Sequence, residues 1–169
     1  MPLIHENKFV PDHWQRLADD QPVPADGNII IPLQRLDEAR QVRGSSLGSI
    51  GINLGNSARI EDIIPLLPNL QLISIAFPAF SDGRGFSLAK RLRRLGFKGT
   101  LRAHGPLIAD QYPHALACGF DEIEISESHA LRHREVHWRA ATGSISLGYQ
   151  RGYVRSGTIL DRRAASRRA

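Results

Sequence analysis

The sequence predicts a single α/β domain in which about five mainly parallel strands are joined by crossover helices. Short β-branched runs alternate with helical patterns from about residue 28 onward, and the starts of these runs lie roughly 20 to 30 residues apart. Such spacing fits one strand, one loop and one helix per unit, and the crossover of such a unit is almost always right-handed. We expect a doubly wound sheet, with an opened half of a βα barrel as the alternative.

The predicted strands are short segments rich in isoleucine and leucine, over residues 28–31, 49–54, 70–76, 100–103 and 122–125. The clearest helix is predicted over 85–95. In that segment Leu88, Leu92 and Leu95 recur at helical spacing and predict a buried stripe, while the cations fall mainly outside it.

Two glycine-phenylalanine pairs predict where successive helices end. Gly96 precedes Phe97 and, 23 positions later, Gly119 precedes Phe120. A left-handed glycine followed by an apolar contact is a common way to end a helix. We therefore expect two successive units to stop in the same manner.

Three stretches of different composition divide the chain. Residues 1–27 are interpreted as a short lead-in with a Pro-rich connection, residues 28–150 as the α/β domain, and residues 151–169 as a basic tail. Residues 1–131 hold 13 Lys+Arg against 15 Asp+Glu, whereas residues 132–169 hold 9 against 2. Because residues 161–169 have almost no apolar side chains to bury, we expect disorder beyond about Leu160. The tail is either a solvated end or an electrostatic tether for an acidic protein or nucleic acid.

Composition excludes several classes of protein. No apolar stretch approaches the ~20 residues that cross a bilayer, and the first residues lack the pattern of a secretion signal, so we expect a cytoplasmic chain. One cysteine, Cys118, cannot form an internal disulfide or a four-thiolate cluster. We expect it to pack as a small buried apolar group rather than act as a nucleophile.

The densest candidate site lies between the third predicted strand and the clearest helix. Loops at this position of an open sheet often hold ligands, and unpaired amides at a helix start attract anions. A carboxylate there could cap the helix, glycines would let a ligand approach the backbone, and an arginine would add a forked donor for an oxyanion. A capped turn without a ligand explains the same residues equally well. The residues concerned are Asp82, Gly83, Arg84, Gly85 and Ser87.

A second group of polar residues follows the next strand. Arg102 and His104 end that strand, and Asp110 and Gln111 come shortly after it. If the strands are parallel, these residues lie near the same sheet edge and could converge with Arg84 on a small anion or a phosphorylated molecule. For Asp110 we favour a pairing with Arg102 over proton transfer.

Histidines spaced by four residues, His129, His133 and His137, resemble metal ligands on a helix. Leu131 and Trp138 fall nearly opposite them, which predicts that the histidines face water. The neighbouring arginines would repel a cation. We therefore expect an exposed helix face and no metal, and the residues identify no cofactor.

The segment from Lys90 to Lys98 is basic. It lacks interleaved exposed aromatic residues, which argues against a site for single-stranded nucleic acid. Docking on an acidic protein explains the charge of this segment as well as binding of nucleic acid does.

Four blocks of the sequence resemble one bacterial family in order and spacing. The family is known as domain of unknown function 934. The matching blocks are Phe77-Pro78-x-Phe80-x-Asp82-Gly83-Arg84-Gly85-x-Ser87-x-Ala89, Gly99-x-Leu101-Arg102-Ala103-x-Gly105, Asp110-Gln111 and Cys118-Gly119-Phe120-Asp121. Members of that family are commonly encoded beside assimilatory sulfite reductase and are labelled oxidoreductases of sulfite reduction, a label that rests on gene neighbourhood.

The resemblance implies a pathway, sulfur assimilation, more firmly than a reaction. We accordingly expect an accessory protein or oxidoreductase of sulfite reduction that docks on sulfite reductase or another acidic protein. The alternative from a different class is an enzyme or binding protein for an oxyanion or phosphorylated small molecule. Nucleic-acid binding through the basic tail is a weaker third alternative. Nothing in the residues alone supports electron transfer, since neither a haem motif nor a complete nucleotide-binding fingerprint is present.

Overall fold

A computed structural model describes residues 1–44 and 47–144. Its strands are β1 (Leu3–His5), β2 (Lys8–Val10), β3 (Trp14–Arg16), β4 (Asn28–Pro32), β5 (Ile50–Leu54), β6 (Leu72–Ala76), β7 (Thr100–His104) and β8 (Glu122–Glu124). Its α-helices are α1 (Leu36–Arg43), α2 (Arg84–Arg94), α3 (Tyr112–Cys118), α4 (Glu127–Arg132) and α5 (Glu135–Ser144), with 3₁₀ turns at Leu33–Arg35, Ile60–Asp62, Ile64–Asn69 and Ala109–Gln111. The basic tail predicted over 151–169 lies outside the described residues.

The strands form one sheet in the order β2-β1-β8-β7-β6-β5-β4-β3. From β3 to β8 each strand pairs in parallel with the next one in sequence, whereas β1 pairs antiparallel with both β8 and β2. The prediction of an α/β domain with mainly parallel strands is confirmed, and the number of strands is eight. Because the order never reverses, right-handed crossovers place the connecting helices on one face.

The sheet is rolled into a half-barrel. Its two edge strands, β2 and β3, are consecutive in the chain, with only residues 11–13 between them. Seven strand spacings in a flat sheet would separate these edges by about 34 Å. The four Cα steps from Val10 to Trp14 span at most about 15 Å. The edges therefore approach each other across a seam, and the half-barrel rather than the doubly wound arrangement is the observed one.

Side-chain alternation along the strands gives the sheet two different faces. The convex face packs against the helices in the main apolar core, which it enters with Ile29, Ile31, Ile50, Ile52, Leu54, Ile73, Ile75, Leu101, Ala103, Ile123 and Ile125. The intervening residues of β5 to β8 point to the concave face, and many of them are polar.

Helix α2 begins and ends close to the predicted positions. Leu88 and Leu92 are buried as expected, but Leu95 is 45% exposed, because the helix ends one residue before it. Gly96 and Gly119 both have positive φ, at 90° and 100°, which confirms the two predicted glycine ends. No helix in the part of the chain that the structure describes could span a membrane.

Residues 1–27, interpreted from the sequence as a lead-in, supply β1, β2 and β3 to the same sheet. Each of these strands has only three residues, too few to produce a recognisable hydrophobic pattern. This segment forms both edges of the seam and contributes Asp12 and Arg16 to the concave face.

Candidate functional site

The concave face carries a network of charged side chains at the centre of the half-barrel. Arg16 ends β3, Arg102 lies in the middle of β7, and Glu124 ends β8. Ser74 and Arg102 are register neighbours on β6 and β7 and so share the concave face. Three polar residues here are almost fully buried: Ser74, Arg102 and Glu124.

Arg16 spans this network. Its Nε and Nη2 atoms donate to the two carboxylate oxygens of Glu124, at 3.1 and 2.6 Å. Its Nη1 donates to Oδ1 of Asn53 at 2.9 Å, and Nη2 also donates to Oγ of Ser74 at 2.8 Å. One guanidinium thus connects strands β3, β5, β6 and β8.

Arg102 is the most deeply buried cation of the network, with its side chain 1% exposed. Its Nη1 and Nη2 atoms form a fork on the carboxylate of Asp12, at 2.7 and 2.9 Å. Its Nε donates to Glu122 at 3.0 Å, and Nη1 also reaches Glu124 at 3.4 Å. The predicted pairing of Arg102 with Asp110 is therefore wrong. Asp110 is exposed in the turn after β7, whereas Arg102 points into the half-barrel.

His104 lies beside these charges. It follows Arg102 by two residues on β7, so both side chains are on the same face of the sheet. Burial lowers the pKa of its imidazole, and the charges of Arg16 and Arg102 lower it further, against a smaller opposing effect of Glu124. Its Nδ1 atom is buried without a hydrogen-bond partner. The imidazole is therefore held in its neutral form.

The carboxyl of Glu124 is kept ionised. Burial alone would raise its pKa, but the hydrogen bond and charge of Arg16, together with the charge of Arg102, hold the pKa below its ordinary value. Two guanidinium groups and the carboxylates of Asp12, Glu122 and Glu124 give the network a formal charge of −1 with His104 neutral. Such a network rigidifies the sheet and holds its cations at fixed positions.

The predicted anion loop has a different geometry from the expected one. Gly83, not Asp82, is the N-cap of α2, and Asp82 instead accepts the backbone N–H of Arg84 at 3.2 Å. The guanidinium of Arg84 forks onto the same carboxylate, with Nη2 2.7 Å from Oδ2. The donor fork that was expected to meet a ligand is thus occupied by Asp82.

Gly85 serves packing rather than ligand approach. A Cβ atom there would lie 2.5 Å from Cζ of the Phe77 ring, which packs against this backbone. Ser87 is exposed on the first turn of α2. Gln111 donates from Nε2 to the carbonyl of Phe80 at 2.7 Å and so ties the loop after β7 to the loop after β6.

The predicted residues therefore fall into two groups. Arg102 and His104 lie together inside the half-barrel, while Arg84 and Asp82 form their own pair at the start of α2. Convergence of Arg84 with Arg102 is not observed among the ion pairs of the described residues. Sequence reasoning missed Asp12, Arg16, Asn53, Ser74, Glu122 and Glu124. The alternation Leu101-Arg102-Ala103-His104 was the available signal that a polar face exists.

A groove between α2 and α3 forms a separate basic surface, called here the α2–α3 groove. Its volume is about 630 Å³, and it is lined by Lys90, Arg93, Arg94, Leu116, Ala117, Cys118 and Gly119. Arg93 is fully engaged, since it binds the carbonyls of Phe97, Gly99 and Gly119 and the carboxylate of Asp121. Lys90 and Arg94 are exposed beside it.

Cys118 is buried at the floor of the groove, as predicted. One histidine is close to it, with Nε2 of His114 3.5 Å from Sγ. Burial raises the pKa of the Cys118 thiol, although Lys90 opposes that effect. Burial therefore disfavours the thiolate, which is the form in which a cysteine acts as a nucleophile.

The three spaced histidines do not share one continuous helix, because α4 ends before His133 and α5 begins at Glu135. The His129 and His133 rings stack at 5.2 Å. Trp138 is buried as expected, but Leu131 is 81% exposed, and His129 and His133 are half-buried, so the prediction that the histidines face water holds for His137 alone. Among the described residues no group of three or more metal-ligating side chains is arranged to hold a metal ion.

The sheet and its network define a class of protein: a half-barrel α/β domain with a charged concave face. The chain belongs to the family described as bacterial protein of unknown function (DUF934), whose model matches residues 51–159. The match includes Asn53, Ser74, Arg102 and Glu124 of the network and the whole α2–α3 groove. No curated protein matches the chain.

Proposed function

We propose that this protein is an accessory component of assimilatory sulfite reduction. It docks through the α2–α3 groove on an acidic partner, and sulfite reductase is the first partner to test. The pathway rests on the gene neighbourhood that the family resemblance implies, since the family is described as one of unknown function. Docking rests on the charge and exposure of the groove. The proposal places the chain in the cytoplasm.

One observation supports docking most strongly. Residues 83–109 contain seven Lys and Arg and no Asp or Glu, although residues 1–131 as a whole have a slight excess of acidic residues. Arg84 and Arg102 are paired elsewhere, with Asp82 and with Asp12, and the basic patch is formed by the cations of α2 between Lys90 and Arg94. Such a patch attracts and orients a protein of opposite charge.

The shape of the groove supports the same conclusion. Leu116, which is 39% exposed, and the exposed Ala117 line the groove beside its cations. An apolar centre with a charged rim is typical of transient protein interfaces. Arg93 holds the floor rigid through its backbone contacts and leaves Lys90 and Arg94 available to a partner.

Binding to purified sulfite reductase from the same organism tests the proposal. We expect the affinity to fall steeply with salt, because exposed charges are screened over about 8 Å at physiological ionic strength. The double variant Lys90→Glu/Arg94→Glu should abolish the interaction at low salt. The matched control Lys8→Glu/Arg59→Glu makes the same change of charge on exposed positions elsewhere and should retain the salt-dependent affinity.

A deletion strain provides the second arm. It should grow poorly on sulfate and normally on cysteine, and the wild-type gene but not the Lys90→Glu/Arg94→Glu gene should restore growth on sulfate. Absence of binding at low salt together with unchanged growth on sulfate would show that the proposal is wrong.

A further inference from the structure

Asp12 occupies the donor fork of Arg102 in the way that a bound carboxylate would. Its two oxygens lie 2.9 and 2.7 Å from Nη2 and Nη1 of Arg102, so both hydrogen bonds run in parallel. This bidentate geometry is the usual one for recognition of planar oxyanions by arginine. Arg102 itself is fixed from behind by Glu122 and Glu124.

Asp12 is also the part of this network that can leave most easily. It lies in the connection between β2 and β3, outside both strands, so no ladder hydrogen bond of the sheet depends on it. Besides Arg102, one donor among the described residues reaches its carboxylate, the backbone N–H of Trp14 at 3.0 Å. Glu122 and Glu124, by contrast, are held in β8.

A cavity of about 260 Å³ lies at this point of the seam, lined by Asp12, Trp14, Arg102 and Glu122 among others. This volume is several times the ~30 Å³ share of a water molecule, and so it has room for a few heavy atoms. The fork of Arg102 would face the cavity once Asp12 moved aside.

We propose that the seam of the half-barrel is a binding site for a small monovalent oxyanion, with Arg102 as its receptor and Asp12 as the resident group that the ligand displaces. A monoanion replaces the Asp12 carboxylate without changing the charge beside Glu122. A dianion would add repulsion from Glu122 and Glu124. Formate and hydrogen sulfite share the required pair of oxygens and a single charge. The α2–α3 groove plays no part in this site.

Displacement of Asp12 has a direct reporter. Trp14 follows it by two residues, shares a hydrogen bond with it and lines the same cavity. The second tryptophan, Trp138, is fully buried elsewhere. Ligand binding should therefore change the fluorescence of Trp14, and the change should be absent in Trp14→Phe.

The experiment titrates formate, hydrogen sulfite and sulfate into the wild-type chain and into Asp12→Asn, with ionic strength held constant by sodium chloride. An asparagine keeps an acceptor for the Trp14 N–H but offers Arg102 only one oxygen and no charge. We expect both monoanions to bind Asp12→Asn at least about tenfold more tightly than wild type, because their internal competitor is weakened. Sulfate should bind less tightly than either monoanion.

Arg102→Lys in the Asp12→Asn background should remove the gain, since an ammonium group cannot form the fork. Equal affinities of wild type and Asp12→Asn, or no saturable change in either, would overturn the proposal. If Asp12→Asn does not fold, the titration of the wild-type chain tests the proposal by itself. Saturable monoanion binding that Arg102→Lys abolishes supports the site, and its absence overturns it. Binding of formate without hydrogen sulfite assigns the site to carboxylates, and the reverse assigns it to sulfur oxyanions.

Discussion

The guanidinium of Arg16 lies 2.6 Å from the carboxylate of Glu124, although their strands are the first and last of the six parallel strands of the sheet. Five strand spacings would separate them by about 24 Å in a flat sheet. The ion pair can form only because the sheet is rolled, and it ties the two sides of the roll together. Arg16 also contacts Asn53 and Ser74, which lie on the intervening strands β5 and β6.

Glu124→Gln should therefore lower the free energy of unfolding by about 3 kcal/mol. The change removes the negative charge of a buried carboxylate that both Arg16 and Arg102 contact. Chemical denaturation of both proteins measures the difference. The control is Glu61→Gln, which breaks an exposed ion pair with Arg91 and should have little effect. Equal effects of the two substitutions would contradict a closing role for the Arg16–Glu124 pair.

The five predicted strands are confirmed because each contains several β-branched or leucine residues whose alternate positions enter the apolar core. The same reasoning does not find β1, β2 and β3 of the N-terminal segment. Trp14-Gln15-Arg16 has no apolar run, and its pairing with β4 is a long-range property of the rolled sheet. The network could not be predicted for the same reason. From the sequence alone Arg102 is a residue near the end of a strand, and the curvature of the sheet is needed to show that it faces inward.

The loop after β6 shows a different limit. Its composition predicted both a capped turn and an anion site, and the residue types alone cannot say which atoms meet. The structure places the Arg84 fork on Asp82 and the Phe77 ring against Gly85. Glycine in this loop therefore reflects packing as much as it reflects ligand approach.

Stability should decline as the pH falls below about 6.5, the ordinary pKa of histidine, because burial lowers the pKa of His104. In the interval between the folded and ordinary values, the unfolded chain binds a proton that the folded protein does not, so acid favours unfolding. We expect His104→Gln to reduce the difference in unfolding free energy between neutral and mildly acidic pH. Denaturant titrations at several pH values measure it. His13→Gln, at an exposed position, should leave the pH dependence unchanged.

Gly85→Ala should destabilise the protein by roughly 1 to 3 kcal/mol, the usual cost of overpacking. The added Cβ would lie 2.5 Å from the Phe77 ring, which outweighs the better helix propensity of alanine. Thermal unfolding compares it with Gly83→Ala, whose Cβ meets nothing closer than 3.8 Å. If Gly85→Ala is as stable as the wild type, the ring of Phe77 is not held where the structure places it.

The Asp82–Arg84 pair should be visible as a shift in titration. The guanidinium of Arg84 holds the pKa of the Asp82 carboxyl well below its usual range, with smaller help from the Arg84 amide and from Asn56 and against the effect of burial. In Arg84→Ala we expect that pKa to rise toward the ordinary value without reaching it, because the backbone donor remains. Side-chain carboxyl NMR measures the change.

Arg91→Ala is the matched control, since it removes an arginine that pairs with Glu61 instead and should leave the titration of Asp82 unchanged. The same titration tests the loop for anions. A sulfate or phosphate ester that binds the Arg84 fork must displace Asp82, so the pKa of Asp82 should rise as the ligand saturates. A pKa that does not move at any ligand concentration would leave Asp82 and Arg84 as a turn-forming pair with no ligand between them.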